Sequence, residues 1–367
     1  MRIGGERIAE EQLGRPKMKK VCVCEHGEPL VAMEADMPEL QGTEVLLKVN
    51  ATGICHTDLH LWEGGYDLGG GNRLNVADRG ISLPMTLGHE VAGTAVDVGP
   101  DGDRSIVGKD CVAYPWLGCG ECAVCERGQE NLCLSPRSLG VFSPGGYAEY
   151  VVLPDAKYCI EHGNIPASQA ALLACSGVTT YSAILKFGDI LESEPLVVLG
   201  AGGLGLMALS IIKAMGFRGA ISVDIDPSKL EAAIEAGAFA TVDSSKDDAA
   251  EKIKELTGGG AFAVLDLVGA EATINLALDS VARGGHIVVC GLYGGELKLP
   301  LPYIPMRPLN IQGSWVGNLA ELNDLIKLAQ KKGIAEVPIT ECSLSQASSA
   351  LMDLKDGKLV GRAIIRP

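Results

Sequence analysis

The sequence predicts an α/β fold in which a doubly wound parallel sheet is combined with a second, β-rich part of the chain. Three observations support this. The 367 residues exceed the length of a typical single domain, so two domains are expected. Residues 21–160 contain short β-like runs punctuated by glycine and proline, whereas from about residue 178 buried apolar runs alternate with helical segments. That alternation is typical of a parallel sheet covered by helices on both faces.

The β-rich part is predicted from runs such as VLLKVNATG, VAGTAVDVG and YAEYVVL. Within it, residues 64–80 have the sequence GGYDLGGGNRLNVADRG, a long glycine-rich segment. A flexible surface connection would explain this composition, and the alternative is a segment that borders a substrate channel or a subunit contact.

The second part begins with a strand, a glycine turn and a helix, predicted from PLVVLGAGGLGLMALSIIKAMGF. AISVDID predicts the next strand, and PSKLEAAIEAGA predicts a helix that a proline opens and a glycine ends. FAVLDLVG and GHIVVCGLYG add buried strands. The tail, roughly residues 319–367, carries a predicted helix in AELNDLIKLAQKKG and a predicted strand in GRAIIRP.

The bulk composition excludes several classes of protein. Hydrophobic residues make up 47% and charged residues 21%, which indicates a folded chain with a large core. Thirty-one basic and forty-six acidic side chains give a net charge of −15, which disfavours nucleic-acid binding. We find no apolar run of about 18 residues and hence predict no membrane span. Residues 1–17 are predicted to be a polar extension with Met18 as a possible alternative start, and cytoplasmic localisation is expected.

A dinucleotide site is predicted at GAGGLG, residues 200–205, which matches G-x-G-x-x-G between a hydrophobic strand and a helix. Gly200 would make the tight turn, Gly202 would let the backbone approach a pyrophosphate, and Gly205 would let helix and strand pack closely. The helix N-terminus offers free N–H groups to the phosphates. The predicted cofactor-binding residues of this turn are Gly200, Gly202, Gly203, Leu204 and Gly205.

Asp224 ends the second strand, 24 residues after Gly200. A carboxylate there accepts hydrogen bonds from both adenosine ribose hydroxyls and would repel a 2′-phosphate, so NAD is predicted over NADP. A helix-capping role better suits Asp226, which comes immediately before Pro227. Lys229 could reach the same ribose, although a solvated helix lysine is the alternative.

The segment CGECAVCERGQENLC places four cysteines at C-x2-C-x2-C-x7-C spacing: Cys119, Cys122, Cys125 and Cys133. Four thiolates within so short a segment can surround one tetrahedral Zn²⁺, and such a site leaves no open position for a substrate. An iron–sulfur cluster also uses four cysteines, but ferredoxin runs close with C-x3-C-P, and here the fourth cysteine is farther away. A structural zinc site is therefore predicted.

A second, catalytic metal site is proposed from three distant residues. GICHTDLH (53–60) supplies Cys55, GHEVAG (88–93) supplies His89, and ACSG (174–177) supplies Cys175. Two sulfurs and one nitrogen would leave a fourth zinc position open to substrate or water. On the residues alone, GHE has many ordinary explanations, and Cys175 could be a buried apolar cysteine.

These motifs, with the cysteine lobe, LACSGVTTY and GAGGLG, occur in the order and spacing of zinc-dependent medium-chain alcohol dehydrogenases, which the chain resembles from about residue 19 onward. The resemblance implies a GroES-like catalytic domain with an inserted Rossmann domain and the active site between them. The expected division is a catalytic domain over 18–177 with a zinc lobe at 119–133, a NAD-binding domain over 178–318, and a C-terminal segment, 319–367, that completes the catalytic domain.

The resemblance also implies roles for individual residues. Cys55, His89 and Cys175 match the catalytic zinc ligands, and cysteine at position 175 is the alcohol-dehydrogenase choice where sorbitol-type relatives carry glutamate. The other matched positions have roles around the metal and the cofactor: Glu90 near the metal, Asp58 orienting the ligand histidine, His56 and Arg362 on the cofactor phosphates, Thr57 and His60 in a proton relay. Trp62 and Trp116 fall where substrate-pocket aromatics occur, although core packing could explain either.

The expected function is therefore reversible, NAD-dependent oxidation of a primary or secondary alcohol to an aldehyde or ketone, with two zinc ions per subunit. A zinc-dependent carbonyl reductase of the same superfamily is the first alternative, and a non-catalytic zinc-binding protein is the second. The partners expected are a small-molecule substrate and further copies of the chain, as a homodimer or homotetramer, without nucleic acid or membrane.

Overall fold

The computed structural model describes residues 16–334 and 336–367. The predicted polar extension over 1–17 therefore lies mostly outside the described residues, and Lys17 already belongs to the first strand. Among the helices in the described part of the chain, none has the length and apolar composition required to cross a membrane.

The described residues form seventeen strands and twelve α-helices. The strands are β1 Lys17–Cys22, β2 Val31–Asp36, β3 Val45–Ile54, β4 Gly65–Gly69, β5 Asn72–Asn75, β6 Glu90–Val98, β7 Asp110–Ala113, β8 Tyr150–Leu153, β9 Cys159–Glu161, β10 Leu196–Leu199, β11 Ala220–Asp224, β12 Ala240–Asp243, β13 Ala261–Asp266, β14 Val281–Val289, β15 Asn310–Gly313, β16 Ile339–Ser343 and β17 Arg362–Arg366. The helices are α1 His56–Glu63, α2 Ala123–Glu126, α3 Ala167–Leu172, α4 Val178–Leu185, α5 Ile190–Ser193, α6 Gly203–Met215, α7 Pro227–Ala236, α8 Ala249–Leu256, α9 Glu271–Ser280, α10 Tyr303–Met306, α11 Leu319–Lys332 and α12 Ala347–Lys355.

The second half of the chain forms a six-stranded, all-parallel sheet in the order β12-β11-β10-β13-β14-β15. Strand β10 is buried at all four positions because helices cover both faces of the sheet, which is why its sequence, LVVL, is uniformly apolar. The order reverses beside β10, and the chain leaves that strand into the glycine turn before α6. The predicted doubly wound sheet is confirmed.

The first half and the tail together build a seven-stranded sheet. Its path is β16-β17-β3-β6-β7-β9, with β8 also paired to β3. Strand β17 from the tail runs antiparallel to β3, with Ala363 opposite Ile54 and Ile364 opposite Gly53. The C-terminal segment therefore completes the sheet that begins in the first half, and this pairing carries Arg362 to the end of β3 where Cys55 follows.

The glycine-rich segment 64–80 is ordered as a β-hairpin rather than as an irregular connection. Strands β4 and β5 pair antiparallel, and a short 3₁₀ turn, Ala77–Arg79, follows them. The hairpin tip packs against the loop after β14, because a Cβ added at Gly69 would meet the Gly295 carbonyl at 2.6 Å. The segment thus joins the two sheets across the cleft between them, which matches the substrate-channel alternative and not the flexible connection.

Candidate functional site

A cavity of about 780 Å³ lies between the two sheets. Its walls include side chains from both halves of the chain, among them Cys55, Thr57 and Trp116 from the first half and the glycine turn and Asp224 from the second. A concave site of this size, with a few polar groups on mostly apolar walls, is typical of small-molecule and cofactor binding. The fold thus brings the sequence motifs to one place.

Three elements carry the proposed catalytic zinc ligands to the cavity. Cys55 follows β3 and caps α1, His89 directly precedes β6, and Cys175 lies in a π-helical turn, Leu173–Gly177, between α3 and α4. Strands β3 and β6 are neighbours, and Gly53 lies opposite Glu90 in their pairing. π-Helical turns occur frequently at functional sites because the extra residue redirects a side chain.

The ligand atoms of Cys55, His89, Glu90 and Cys175 all lie within 4.8 Å of one another and are buried. The Sγ atoms of Cys55 and Cys175 are 3.9 Å apart, and two thiolates on one tetrahedral zinc, each at about 2.3 Å, would be roughly 3.7 Å apart. Nε2 of His89 is buried without a hydrogen-bond partner in the described structure. An unpartnered imidazole nitrogen beside two thiols fits a bound metal.

The electrostatics around Cys55 favour the thiolate that a metal requires. The hydrogen bond from the Cys175 thiol holds the pKa of Cys55 well below its usual value, and His89 lowers it further despite burial. Since zinc binds thiolates rather than thiols, this environment suits metal capture.

Asp58 occupies the position that the sequence predicts for orienting His89. Its Oδ1 lies 3.4 Å from Nδ1 of His89 and accepts a hydrogen bond from Gly88 N at 3.2 Å. Its Oδ2 accepts from Cys55 N at 2.9 Å and from the Tyr147 hydroxyl at 3.2 Å. The carboxylate is fully buried, and these donors explain how a charge is tolerated there.

Glu90 and Arg362 form a buried ion pair next to the ligand cluster. Burial raises the pKa of Glu90, and the Arg362 guanidinium opposes that rise. Arg362 also packs against Gly203 at the start of α6, where a Cβ would overlap its side chain. It thus lies between the metal ligands and the predicted phosphate site, and its role toward the cofactor stays a prediction.

Helix α1 places three polar residues of GICHTDLH on the cavity wall: His56, Thr57 and His60. Residues three or four apart share a helix face, which brings Thr57 and His56 onto the side of His60. The His60 ring lies against Tyr66 with 4.6 Å between ring centroids. Loss of water lowers the pKa of both histidines, and Arg362 and Lys229 lower the pKa of His56 further.

The glycine turn has the local geometry that the fingerprint predicts. Gly200 has φ of +97°, which favours glycine, and a Cβ at Gly205 would overlap the Gly200 carbonyl. A Cβ at Gly202, by contrast, would meet nothing within 4 Å. Packing therefore explains Gly205, whereas the space at Gly202 faces no protein atom and fits the approach of a pyrophosphate.

Asp224 lies at the end of β11 and lines the cavity with Lys229. Its Oδ2 accepts a hydrogen bond from Ala201 N at 2.7 Å, and its Oδ1 accepts from Asp226 N at 3.0 Å. The carboxylate is therefore held against the glycine turn. Asp226 caps α7 through Ser228 N, as the sequence predicts for that residue.

The four-cysteine lobe forms a second cluster. The Sγ atoms of Cys119, Cys122, Cys125 and Cys133 lie within 4.8 Å of one another, and three pairs are 3.5, 3.8 and 3.9 Å apart. These separations fit four sulfurs around one zinc. In the described chain no cavity residue other than Cys133 comes from this set, which fits a structural role.

Glu130 anchors the lobe to the rest of the molecule. This buried carboxylate accepts hydrogen bonds from Gly118 N at 3.2 Å and from the Tyr158 hydroxyl at 2.7 Å. Sequence reasoning did not find it, because nothing in CERGQENLC distinguishes Glu130 from a solvated glutamate.

The two tryptophans have different environments. Trp116 lines the cavity, donates its Nε1 hydrogen to Ala174 O at 3.1 Å, and lies 5.2 Å from His89 between ring centroids. Trp62 does not line the cavity: it is buried against β1 and α12 in a separate core cluster, and its Nε1 donates to Glu28 O at 2.6 Å. For Trp62 the structure matches the core-packing alternative, because it follows His60 on α1 and faces away from the cavity.

Comparison with known proteins agrees with this architecture. Residues 41–165 match the family described as the alcohol dehydrogenase GroES-like domain, and residues 203–331 match the zinc-binding dehydrogenase family. Together the two families span the cavity from both sides. The first contains six of the seven proposed zinc ligands, all except Cys175, and the second begins within the glycine turn, at Gly203.

Known alcohol dehydrogenases match this chain over nearly its whole length. The chain is 38% identical to an NAD-dependent alcohol dehydrogenase of Sulfurisphaera tokodaii and 37% identical to one of Saccharolobus solfataricus, in each case over 95% of this chain and 100% of the relative. The crystal structure of the alcohol dehydrogenase from Aeropyrum pernix superposes with a TM-score of 0.85 at 30% identity, covering 95% of this chain and 100% of that one.

Proposed function

The chain belongs to the zinc-dependent medium-chain alcohol dehydrogenases, and from this premise we propose that it catalyses the reversible oxidation of a primary or secondary alcohol with NAD. The observation that carries the proposal is the buried trio of Cys55, His89 and Cys175 on the same cavity as the glycine turn. Because the metal site and the dinucleotide site open into one cavity, the carbon that bears the alcohol hydroxyl can lie next to NAD, the hydride acceptor.

Each cofactor contributes chemistry that the side chains lack. A zinc ion held by Cys55, His89 and Cys175 acts as a Lewis acid that makes a hydroxyl easier to ionise, and NAD held at the glycine turn accepts the hydride. The protein positions and shields the reacting groups. Trp116 and the π-helical turn exclude water on one side of the metal site, which strengthens electrostatic interactions inside it.

The proton of the alcohol leaves along α1 in this proposal. The Thr57 hydroxyl can accept it and donate its own, because a hydroxyl is both donor and acceptor. His60, which is partly buried in the cavity wall, then holds the proton. Both residues line the cavity, and the lowered pKa of His60 keeps its ring neutral and able to accept a proton near neutral pH. Carbonyl reduction uses the same groups in the opposite direction.

NAD is the cofactor, and we propose Asp224 as the residue that rejects NADP. The carboxylate is held by Ala201 N and Asp226 N, so a 2′-phosphate would meet a fixed negative charge. His56, Lys229 and Arg362 are the proposed cationic or hydrogen-bonding contacts to the dinucleotide. Higher catalytic efficiency with NADP than with NAD would contradict the assignment of Asp224.

The test combines activity with metal content on one sample. We expect NAD-linked turnover against a panel of primary, secondary, aromatic and cyclic alcohols, with two zinc ions per chain. Cys55→Ala should abolish turnover and leave one zinc, whereas Cys24→Ala, which changes an exposed cysteine outside both clusters, should change neither quantity. Turnover retained by Cys55→Ala would remove Cys55 from the metal site.

The division into domains is part of the proposal. All six strands of the parallel sheet fall within residues 196–313, and the other described strands fall before 162 or after 338. This supports a NAD-binding domain over 178–318 inserted between a catalytic domain, 18–177, and its C-terminal completion, 319–367.

The chain acts on a small molecule, and we propose that it does so as a homodimer or homotetramer. Strand β15 is an edge of the parallel sheet, and exposed apolar side chains precede and follow it, including Leu301, Met306 and Trp315. A second copy of the chain would pair with the backbone of the open edge strand and would bury the apolar side chains beside it. Asn310→Pro should shift the sedimentation coefficient toward that of a monomer, and an unchanged value would contradict this interface.

We also propose cytoplasmic localisation. All twelve cysteines are free thiols, six of them in the two ligand clusters, which suits a reducing compartment. Fractionation of the source cells is the direct check.

A further inference from the structure

Apart from histidines, four acidic or basic side chains line the cavity: Arg79, Asp224, Lys229 and Arg362. Asp224 and Lys229 lie on the second strand and following helix of the parallel sheet, and Arg362 packs on the glycine turn. These three belong to the dinucleotide side of the cavity. Arg79 comes from the hairpin segment 64–80 on the opposite side, and nothing in the dinucleotide site accounts for it.

Arg79 is held in a defined orientation. It ends the short turn Ala77–Arg79, which Gly80 closes with φ of +80°. Its guanidinium carbon lies 5.5 Å from the centroid of the Phe142 ring, which also lines the cavity. A ring under one face of a guanidinium limits its motion and leaves the N–H groups at its edge free to donate.

The charge of Arg79 has no counterpart in the described chain. No carboxylate among residues 16–334 and 336–367 pairs with it, although the protein carries 46 acidic side chains and a net charge of −15. Arg79 is exposed to solvent at its place in the cavity wall. The lining side chains nearest to it are aromatic, Phe142 and Tyr66.

Tyr66 links Arg79 electrostatically to the metal site. Burial raises the pKa of the Tyr66 hydroxyl to about 12, with Arg79 opposing the rise and Cys55, Asp58 and Cys175 adding to it. Cys55, Cys175, Tyr66 and Arg79 all line the same cavity. The cavity is therefore continuous from the metal ligands past Tyr66 to Arg79.

We propose that Arg79 determines substrate class: the enzyme prefers alcohols whose distal end carries an anionic oxygen group, a carboxylate or a phosphate. This inference rests on the proposed function. The hydroxyl end would lie at Cys55, His89 and Cys175, an apolar chain would pass Tyr66 and Phe142, and the oxyanion would accept hydrogen bonds from the guanidinium. Arginine matches both carboxylate and phosphate because its paired donors fit two oxygens at once.

The experiment compares matched substrates. Each member of a series of terminal hydroxy acids is assayed beside the unbranched alcohol with the same number of carbons, and diol monophosphates form a second arm. Wild-type kcat/KM should favour the anionic member at one chain length. In Arg79→Leu the ratio of kcat/KM for anionic over neutral substrate should fall roughly tenfold, mostly through KM, because the contact is present before and during hydride transfer.

Two further variants separate a specific contact from a general effect of charge. Arg79→Lys should keep part of the preference, since lysine retains the charge but not the paired donors. Arg73→Leu removes the same charge from the same hairpin at a residue outside the cavity, whose guanidinium donates to Glu63 O, and it should leave the ratio unchanged. An equal fall of the ratio in Arg73→Leu would overturn the proposal.

The outcomes also separate this inference from the proposed function. Wild-type enzyme that oxidises neutral alcohols with NAD but shows no preference for either anionic series overturns the role of Arg79 alone. Enzyme that oxidises no alcohol with NAD overturns both. A preference confined to the carboxylate or to the phosphate arm supports the inference and identifies which oxyanion the site takes.

Discussion

The Tyr147 hydroxyl donates a hydrogen bond to Oδ2 of Asp58 at 3.2 Å, and the other oxygen of that carboxylate lies 3.4 Å from Nδ1 of His89. All three side chains are fully buried. The carboxylate of Asp58 therefore connects Tyr147, a buried core residue, to His89, a proposed metal ligand. Groups behind a metal ligand fix its orientation, and replacing one of them typically costs about 10–100-fold in metal affinity.

Asp58→Asn should weaken zinc binding at the catalytic site by about 10–100-fold, because an amide donates where His89 needs an acceptor. Tyr147→Phe should weaken it less, since two backbone donors still hold Asp58, and should lower the free energy of unfolding by about 1–2 kcal/mol. The measurement is zinc release to a chromogenic chelator, with the absorption spectrum of the cobalt-substituted enzyme as a report on ligand geometry.

Tyr150→Phe is the matched control for Tyr147→Phe. Tyr150 begins β8, is partly exposed, and lies outside the ligand cluster and the cavity. Its variant should release zinc at the wild-type rate. If Tyr147→Phe does so too and keeps the wild-type cobalt spectrum, Tyr147 does not position Asp58.

Two alanine substitutions in the glycine turn separate its role in cofactor binding from its role in packing the helix against the strand. Gly202→Ala places a Cβ where no protein atom lies within 4 Å, on a backbone with φ of −73° that alanine adopts. We expect the free energy of unfolding to change by less than about 1 kcal/mol and the Kd for NADH to rise at least roughly tenfold because the pyrophosphate loses close approach.

Gly205→Ala should give the reverse pattern. Its Cβ would overlap the Gly200 carbonyl, so overpacking should destabilise the fold by about 1–3 kcal/mol before any ligand is added. Thermal unfolding and NADH fluorescence titration on the same preparations measure both quantities. Unchanged NADH affinity in a stably folded Gly202→Ala variant would contradict the predicted phosphate contact.

The cysteine lobe should contribute stability and not chemistry. Cys133→Ser removes one of four ligands, and we expect one zinc per chain instead of two and a loss on the order of 4 kcal/mol in unfolding free energy. Turnover per folded molecule should persist at low temperature, because the Cys55 cluster is separate. Cys24→Ser, at an exposed cysteine, should keep both zinc ions. Loss of turnover in fully folded Cys133→Ser would indicate a catalytic role for the lobe.

Sequence spacing predicted the parts of the site whose residues lie close together in the chain, namely the glycine turn and the four-cysteine lobe. The glycine turn is set by a strand, a tight turn and a helix within a few residues, so Gly200 and Gly205 follow from local sterics. Four cysteines within fifteen residues are likewise close enough in sequence to bind one metal ion together. Cys55, His89 and Cys175 are separated by long stretches of chain, and their meeting depends on the pairing of β3 with β6 and on the π-helical turn, which local pattern does not determine.

Residues that act through tertiary contacts were not predictable. Tyr147 belongs to a strand-like run, YAEYVVL, and only the approach of α1 brings Asp58 to its hydroxyl. In sequence, Glu130 resembles a solvated glutamate; only the folded structure shows the hydrogen bonds that it accepts from Gly118 N and the Tyr158 hydroxyl. Trp62 and His60 are two residues apart on α1, yet one faces the core and the other the cavity. A helix turns about 100° per residue, so two positions are enough to separate their roles.

His60 should control the pH dependence of alcohol oxidation. Burial against Tyr66 lowers the pKa of its ring below 6.5; the charges of Glu63 and Cys55 oppose this shift, and Arg73 adds to it. The ring is therefore neutral at pH 7 and accepts a proton, and it becomes cationic only as the pH falls through that lowered pKa. Wild-type kcat/KM should accordingly decline with acidification in the range below about 6.5.

His60→Ala should remove that acidic inflection and slow oxidation roughly 10²-fold near neutral pH, the usual contribution of one acid–base group. Added imidazole should restore part of the rate, because it supplies the missing base in the cavity. His26→Ala, which changes a histidine whose Nδ1 lies 3.1 Å from Leu61 O and which does not line the cavity, should retain the wild-type profile. A His60→Ala variant with an unchanged pH–rate profile would exclude His60 from the proton path and leave solvent to accept the proton from Thr57 directly.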